Sequence, residues 1–293
     1  MTAIRPRRSA LYMPGSNARA IEKAKTLAAD VVIFDLEDAV APEAKGEARE
    51  RVCAAVQTGG YGRRELVIRV NALDTPWGEA DLAAAAAAAP DAILVPKVSS
   101  AEALVAVGRR LRHLGAPERT RVWAMVETPL AILQAEPIAR AARDPETRLA
   151  CLVMGTNDLA KDTRARLLPG RAAMLPWLMT ALAAARAHGI DILDGVYNAL
   201  SDAEGFRIEC EQGRDCGFDG KTLIHPDQIA AANAIFAPSA EEVASARAIV
   251  AAFEQPENQG KGAINLGGRM VERLHAEMAM RVLALAEAIA AKA

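Results

Sequence analysis

Short apolar runs bounded by glycine, proline or charge alternate with amphipathic stretches from residue 9 to about residue 235. The runs are SALYMP (9–14), VVIFDLE (31–37), ELVIRV (65–70), AILVPK (92–97), VWAMVE (122–127), CLVMGT (151–156), GIDILDG (189–195) and DGKTLI (219–224). Their length and β-branched content predict strands, and the 3.6-residue periodicity of segments such as NARAIEKAKTLAA and TPLAILQAEPIARAAR predicts helices between them. Strands separated by helices pair in parallel through right-handed crossovers. Eight such units point to a (β/α)8 TIM barrel rather than a doubly wound sheet. After Ile235 the cadence stops: an amphipathic helix (SAEEVASARAIVAAFEQ), a Gly-rich connection expected to be flexible (ENQGKGAINLGGRM) and a last helix over 271–290 follow. Residues 1–236 are therefore expected to form the barrel, and 237–293 a C-terminal helical extension acting as a lid or oligomer contact.

Composition narrows the function classes. With 52% hydrophobic but only 4% aromatic residues, the core must be built from Ala, Val, Leu and Ile. The alanine run over 83–89, after Asp81 and before Pro90, reads as a helix packed closely on its neighbours. Thirty-five Lys and Arg against 37 Asp and Glu, with no charged tail, give no electrostatic support for a nucleic-acid or membrane-surface role. The four cysteines form no CxxC pair and suit reduced thiols. The N-terminus lacks an apolar signal region and no apolar run is long enough to span a bilayer, so a cytoplasmic location is expected.

Catalytic groups of a barrel come from the C-terminal ends of its strands. Those ends carry Tyr12 and the turn Pro14-Gly15-Ser16-Asn17, then Asp35, Glu37 and Asp38, then Arg69 and Asn71, then Lys97, Glu127, Asp158 and Asp194. For any one of them a solvated loop start or a salt bridge is an equally good reading, but the collective pattern sets two cations beside a cluster of carboxylates. Glu127 and Asp158 on neighbouring strands would make a hard, oxygen-rich site of low ligand count. Such a site suits Mg2+, or Mn2+, and not zinc. None of the four histidines falls at a metal-ligand spacing. His113 and His188 sit in helix-end contexts, and His225, before Pro226, is expected to cap a helix start rather than to act in catalysis. GxSxG, P-loop and GxGxxG motifs are absent.

The segments RSALYMPGSNARAIEKA, DVVIFDLEDAVAPEAK, VIRVNALDTPWG, ILVPKV, MVETP, VMGTNDLAKD, ILDGVYN and GFDGKTLIHPDQI, in this order, resemble the citrate lyase β-chain-like and malyl-CoA lyase family of CoA-ester lyases, within the pyruvate-kinase-like aldolase barrels. The match runs from Arg8 to about Glu272. It implies that Glu127 and Asp158 hold Mg2+, that Arg69 grips the carboxylate or carbonyl oxygens of a small keto-acid half, and that Asp35, Glu37 and Asp38 line the metal's surroundings. It also implies that Tyr12, Pro14, Gly15, Ser16 and Lys23 lie along CoA, with Lys23 reaching a phosphate. Lys97 would join the substrate-binding set, and Asp194, Gly195 and Val196 would border the acyl pocket.

Two departures from the family pattern matter. Where malyl-CoA lyases carry a lid Asp from a neighbouring subunit that acts in proton transfer, GGRMVERLH offers Glu272, one methylene longer. The segment after Asp158 is also shorter than in the large malyl-CoA lyases. The resemblance implies Mg2+-dependent cleavage, or Claisen formation, of a 3-hydroxy-dicarboxylyl-CoA such as malyl-, β-methylmalyl- or citramalyl-CoA, giving acetyl- or propionyl-CoA and a 2-oxo acid. Hydrolysis of malyl-CoA on the same scaffold and a citrate lyase β subunit using an acyl carrier protein stay open as alternatives. A lid working across a subunit boundary implies a homotrimer or homohexamer.

Overall fold

The computed structural model describes residues 4–291. Eight parallel strands close into a barrel in sequence order: β1 (Ser9–Pro14), β2 (Val31–Asp35), β3 (Glu65–Arg69), β4 (Ala92–Val95), β5 (Arg121–Val126), β6 (Leu149–Met154), β7 (Asp191–Asp194) and β8 (Gly220–Leu223), with β8 pairing back onto β1. The helices between them are α1 (Ala18–Lys23), α2 (Lys45–Thr58), α3 (Gly78–Ala88), α4 (Ala101–His113), α5 (Pro129–Leu133), α6 (Ala135–Arg140), α7 (Thr156–Thr163), α8 (Leu175–Ala187) and α9 (Ala203–Cys216). All eight predicted strands are present. Seven of them end one or two residues before the predicted bound, and in β2, β4 and β5 the predicted last residue left outside the ladder is charged: Glu37, Lys97 and Glu127.

Alternate residues of the strands meet in one buried cluster: Val31 and Ile33, Ala92 and Leu94, Trp123 and Met125, Cys151 and Val153. This period of two is what a closed sheet requires. Arg7, at the N-terminal end of the barrel, lies 4.9 Å over the Trp123 ring and pairs with Glu65 and Asp191. Its charge stays on because Glu65 and Asp191 outweigh the desolvation that burial imposes.

The chain forms two compact units, one over Arg7–Asn233 and one comprising residues 4–6 and 234–291. Helix α10 (Ile229–Ile235) ends the first stretch. The second unit contains α11 (Ala240–Glu254), α12 (Arg273–Ala290) and an antiparallel hairpin, β9 (Ala263–Leu266) with β10 (Arg269–Glu272). The hairpin corrects the expectation of a flexible connection. Gly267 and Gly268 both adopt positive φ, 56° and 83°, which a two-residue turn matched to the strand twist demands and only glycine adopts freely. The glycines that read as flexibility are turn chemistry. Among the described residues no helix is long and apolar enough to cross a membrane, and all four cysteines are free.

Candidate active site

The C-terminal ends of β2 and β3 stand in register, with Asp35 opposite Arg69. That register lets the guanidinium fork meet the carboxylate twice: Arg69 Nε and Nη2 donate to Asp35 Oδ1 and Oδ2, both at 2.6 Å. Its remaining nitrogen, Nη1, lies 2.7 Å from Glu37 Oε2 and donates to Asp38 Oδ2 at 3.1 Å. The Tyr12 ring centroid is 4.8 Å from Arg69 Cζ, covering one face of the cation. Burial disfavours the Arg69 charge, but Asp35, Tyr12 and Glu37 together hold it firmly protonated. Asp35 also accepts the N–H groups of Glu37 (2.9 Å) and Ala39 (3.1 Å), so the DLED turn is wound around it. Gly15 donates its N–H to the Asp35 carbonyl, and a Cβ at Gly15 would sit 2.8 Å from that oxygen. The Pro14-Gly15-Ser16 turn can therefore lie against β2 only with glycine in the middle.

Glu37 stands between two cations, Arg69 and Lys97, whose Nζ donates to Glu37 Oε1 at 3.1 Å. Its Oε2 is buried and makes no aligned hydrogen bond despite the nearby Arg69. Desolvation, opposed by Arg69 and reinforced by Asp38, pushes the Glu37 carboxyl above the usual range. Lys97 itself is desolvated, but Glu37 outweighs this and raises its pKa. Lys97 is one of the few non-glycine residues with positive φ, 53°. That conformation turns its backbone N–H toward Glu127 Oε1, 2.7 Å away. Such geometry costs a side chain of order 1 kcal/mol and is found where surroundings impose it. Lys97→Gly is therefore expected to raise the melting temperature slightly or leave it unchanged while reducing turnover. Lys97→Ala, which loses the ammonium but keeps the strain, should be less stable than Lys97→Gly; equal stability in paired thermal melts would contradict this.

Glu127 follows β5 and is 1% exposed. Burial first, and the charge of Glu37 second, push its carboxyl up to about 7. Gly155 makes room for it: a Cβ there would lie 2.4 Å from Glu127 Cβ and 2.6 Å from its Oε2. Asp158 is half-exposed and close enough to perturb Glu127 and Lys97 electrostatically. It does not close a strand as the sequence suggested, since it sits in the first turn of α7. Among the described residues no three His, Cys, Asp or Glu side chains converge as a complete cage. Glu127 and Asp158 are thus a pair of hard oxygen donors, one of them buried with a single hydrogen bond from Lys97, a donor set that fits a divalent cation keeping most of its own shell.

Ser16 and Lys23 are exposed on the turn and on α1. Val196 is half-buried beyond β7. Asp194 is fully buried, its carboxylate met by Arg171 Nη1 (2.7 Å), Lys221 Nζ (2.9 Å) and the Gly195 N–H (2.8 Å). Gly195 is buried against Thr156, the first residue of α7. Glu272 caps α12 in a reciprocal arrangement with His275, whose Nδ1 accepts the Glu272 N–H at 2.9 Å. His225 caps as expected, its Nδ1 accepting the Asp227 N–H at 3.2 Å. Arg171, Lys221 and Lys45 are buried charged residues that the sequence reading passed over. A lysine inside the strand pattern GKTL was a usable signal for Lys221; nothing local marks the other two.

The family described as HpcH/HpaI aldolase/citrate lyase matches residues 8–226, a stretch that holds every strand of the barrel. The chain belongs to this family. Among its relatives, the (3S)-malyl-CoA thioesterase of Cereibacter sphaeroides is 52% identical over 286 residues, covering 98% of this chain and 96% of the relative. Citrate lyase subunit beta of Leuconostoc mesenteroides is 36% identical, covering 97% and 94%. The barrel is also shared with solved family structures. The protein CitE from Mycobacterium tuberculosis, in complex with magnesium, acetoacetate and coenzyme A, superposes with a TM-score of 0.75 at 31% identity, over 97% of this chain and 99% of that one.

Proposed function

We propose that this protein is a Mg2+-dependent hydrolase of a malyl-CoA-type thioester. The observation that carries the reading is the 52% identity, along almost the whole of both chains, to a (3S)-malyl-CoA thioesterase. The strand-end cluster supplies what that chemistry needs. Glu127 and Asp158 would hold the cation, which when bound acts as a Lewis acid toward the oxygens of the acyl group. Arg69 and Lys97 would neutralise and orient the substrate carboxylate. Glu37, whose affinity for a proton is raised by burial, is our choice for the group that takes the proton from attacking water, with Asp38 beside it. Tyr12, the Pro14-Gly15-Ser16 turn and Lys23 are assigned to the CoA side, and Gly195 and Val196 to the floor of the acyl side. The C-terminal unit is assigned as lid and oligomer contact, bringing Glu272 of a neighbouring copy to proton transfer.

Carbon–carbon cleavage is the second reading, favoured by the citrate lyase relatives and by the CitE complex with magnesium, acetoacetate and coenzyme A. The two differ in which bond breaks. Protein incubated with (3S)-malyl-CoA and Mg2+ is expected to release free CoA thiol without glyoxylate. Glyoxylate with acetyl-CoA and no thiol would replace hydrolysis by the lyase reading. A carrier-dependent citrate lyase subunit predicts no calorimetric binding of free CoA.

Cation binding must displace the proton that Glu127 retains up to about pH 7. Mg2+ affinity is therefore expected to fall by up to about tenfold per pH unit below 7 and to level off above it. The raised carboxyl has a matching effect on the cation-free protein: the native state holds a proton that the unfolded chain loses near 4.5, so stability is lost as pH rises from about 4.5 toward 7. Calorimetric titrations between pH 5.5 and 8 that give one flat Mg2+ affinity would contradict the assignment of Glu127.

A further inference from the structure

Lys45, the first residue of α2, is 6% exposed and lies directly behind the site. An ammonium carries three N–H donors, and all three are spent: on the carbonyl of Leu36 at 2.9 Å, on the carbonyl of Glu37 at 2.8 Å and on Asn71 Oδ1 at 2.7 Å. Its Nζ also lies 5.1 Å from the Trp77 ring centroid. Asn71 is itself held, donating its side-chain amide to the Leu36 carbonyl and to Asp81 Oδ2. Asp81, fully buried, accepts the Asn71 N–H and Arg49 Nε as well. Among the described residues no carboxylate is hydrogen-bonded to Lys45, and burial lowers its pKa although the charges of Asp35, Asp81, Glu37 and Asp38 oppose it. A buried cation without a direct counter-charge is a poor way to stabilise a fold, since an apolar side chain of the same length would do better. Its placement is explained by what it grips.

Both gripped carbonyls belong to the turn that carries Glu37. The Glu37 N–H is fixed by Asp35 Oδ1 and its carbonyl by Lys45 and the Val40 N–H. The backbone on either side of that residue is thereby pinned, and its carboxylate is delivered between Arg69 and Lys97. We propose that Lys45 is a positioning residue of the active site: its ammonium gathers the Leu36 and Glu37 carbonyls and so sets the place of the Glu37 carboxylate. The inference rests on the reading above only in giving Glu37 a role in turnover.

The test has one arm without substrate and one with it. In Lys45→Met, amide exchange measured by mass spectrometry over residues 36–41 should be at least tenfold faster than in the wild type, with the remaining strands unchanged. In steady-state kinetics on whichever product the wild type forms, kcat should fall about 30-fold with KM within threefold. Glu37→Gln combined with Lys45→Met should be no slower than Glu37→Gln alone, within threefold, because the lysine acts through that carboxylate. A purely structural role would instead lower the melting temperature and leave kcat, measured well below it, untouched. Unchanged exchange over 36–41, or additive losses in the double variant, would overturn the proposal. Should Lys45→Met not fold, Lys45→Gln, whose amide nitrogen ends one bond short of the ammonium and carries two N–H donors in place of three, is held to the same criteria. A wild type that releases neither thiol nor glyoxylate would end the functional reading while the exchange arm still decides the fate of Lys45.

Discussion

Replacing Arg69 with alanine is expected to cut turnover by at least about 30-fold, the equivalent of roughly 2 kcal/mol for a lost charge-assisted contact, and to destabilise the protein at the same time. The second effect follows from what Arg69 touches. Asp35 is 1% exposed and takes both prongs of the fork, while Glu37 and Asp38 share the third nitrogen. Removing the guanidinium leaves Asp35 as a buried carboxylate with only the N–H groups of its own turn, a change worth about 3–5 kcal/mol in comparable buried pairs. Arg69→Lys separates the two roles. It restores a positive charge but not the planar fork, so it should recover part of the denaturation midpoint while turnover stays low. Activity in Arg69→Ala within about threefold of the wild type would remove Arg69 from the proposed machinery.

The same residues show how far the chain can be read without coordinates. The barrel is legible because a buried parallel strand leaves a continuous apolar run and each crossover leaves a helical period, and these signals repeat eight times. The strand-end cluster is legible for a related reason: Asp35, Arg69 and Glu127 are charges placed where an apolar run has just ended. Partnerships are a different matter. That Arg69 faces Asp35 depends on register between β2 and β3, and that Gly155 yields space to Glu127 depends on β5 meeting β6. Local pattern carries neither. Asp194 illustrates the limit most sharply, since in sequence it looks like the other strand-end acids. What separates it is Arg171, 23 residues earlier in a loop, and Lys221, 27 residues later in β8.

Asp194→Asn should accordingly behave as a fold variant. Asp194 and Lys221 are both 0% exposed, Arg171 is 3% exposed, and Glu209 completes the group through Lys221 at 2.7 Å and Arg171 at 3.5 Å. Neutralising Asp194 leaves two buried cations to share Glu209, and a loss of about 3–5 kcal/mol is expected. Adding Lys221→Met should recover part of that loss, because Arg171 and Glu209 then balance; the double variant should be more stable than Asp194→Asn alone, a departure from additivity that denaturation midpoints measure directly. The pH dependence has a definite sign. Lys221 and Arg171 overcome desolvation and hold the Asp194 carboxyl below its ordinary 3.8. The stability it contributes is therefore complete above about pH 4 and is lost only as pH falls through the lowered value, so the gap between wild type and Asp194→Asn should be constant from pH 5 to 8 and close in stronger acid. An acyl-pocket role predicts the opposite: a raised KM, little change in stability and no coupling to Lys221. That result would return Asp194 to the substrate and leave the buried ion group without a function in holding the barrel.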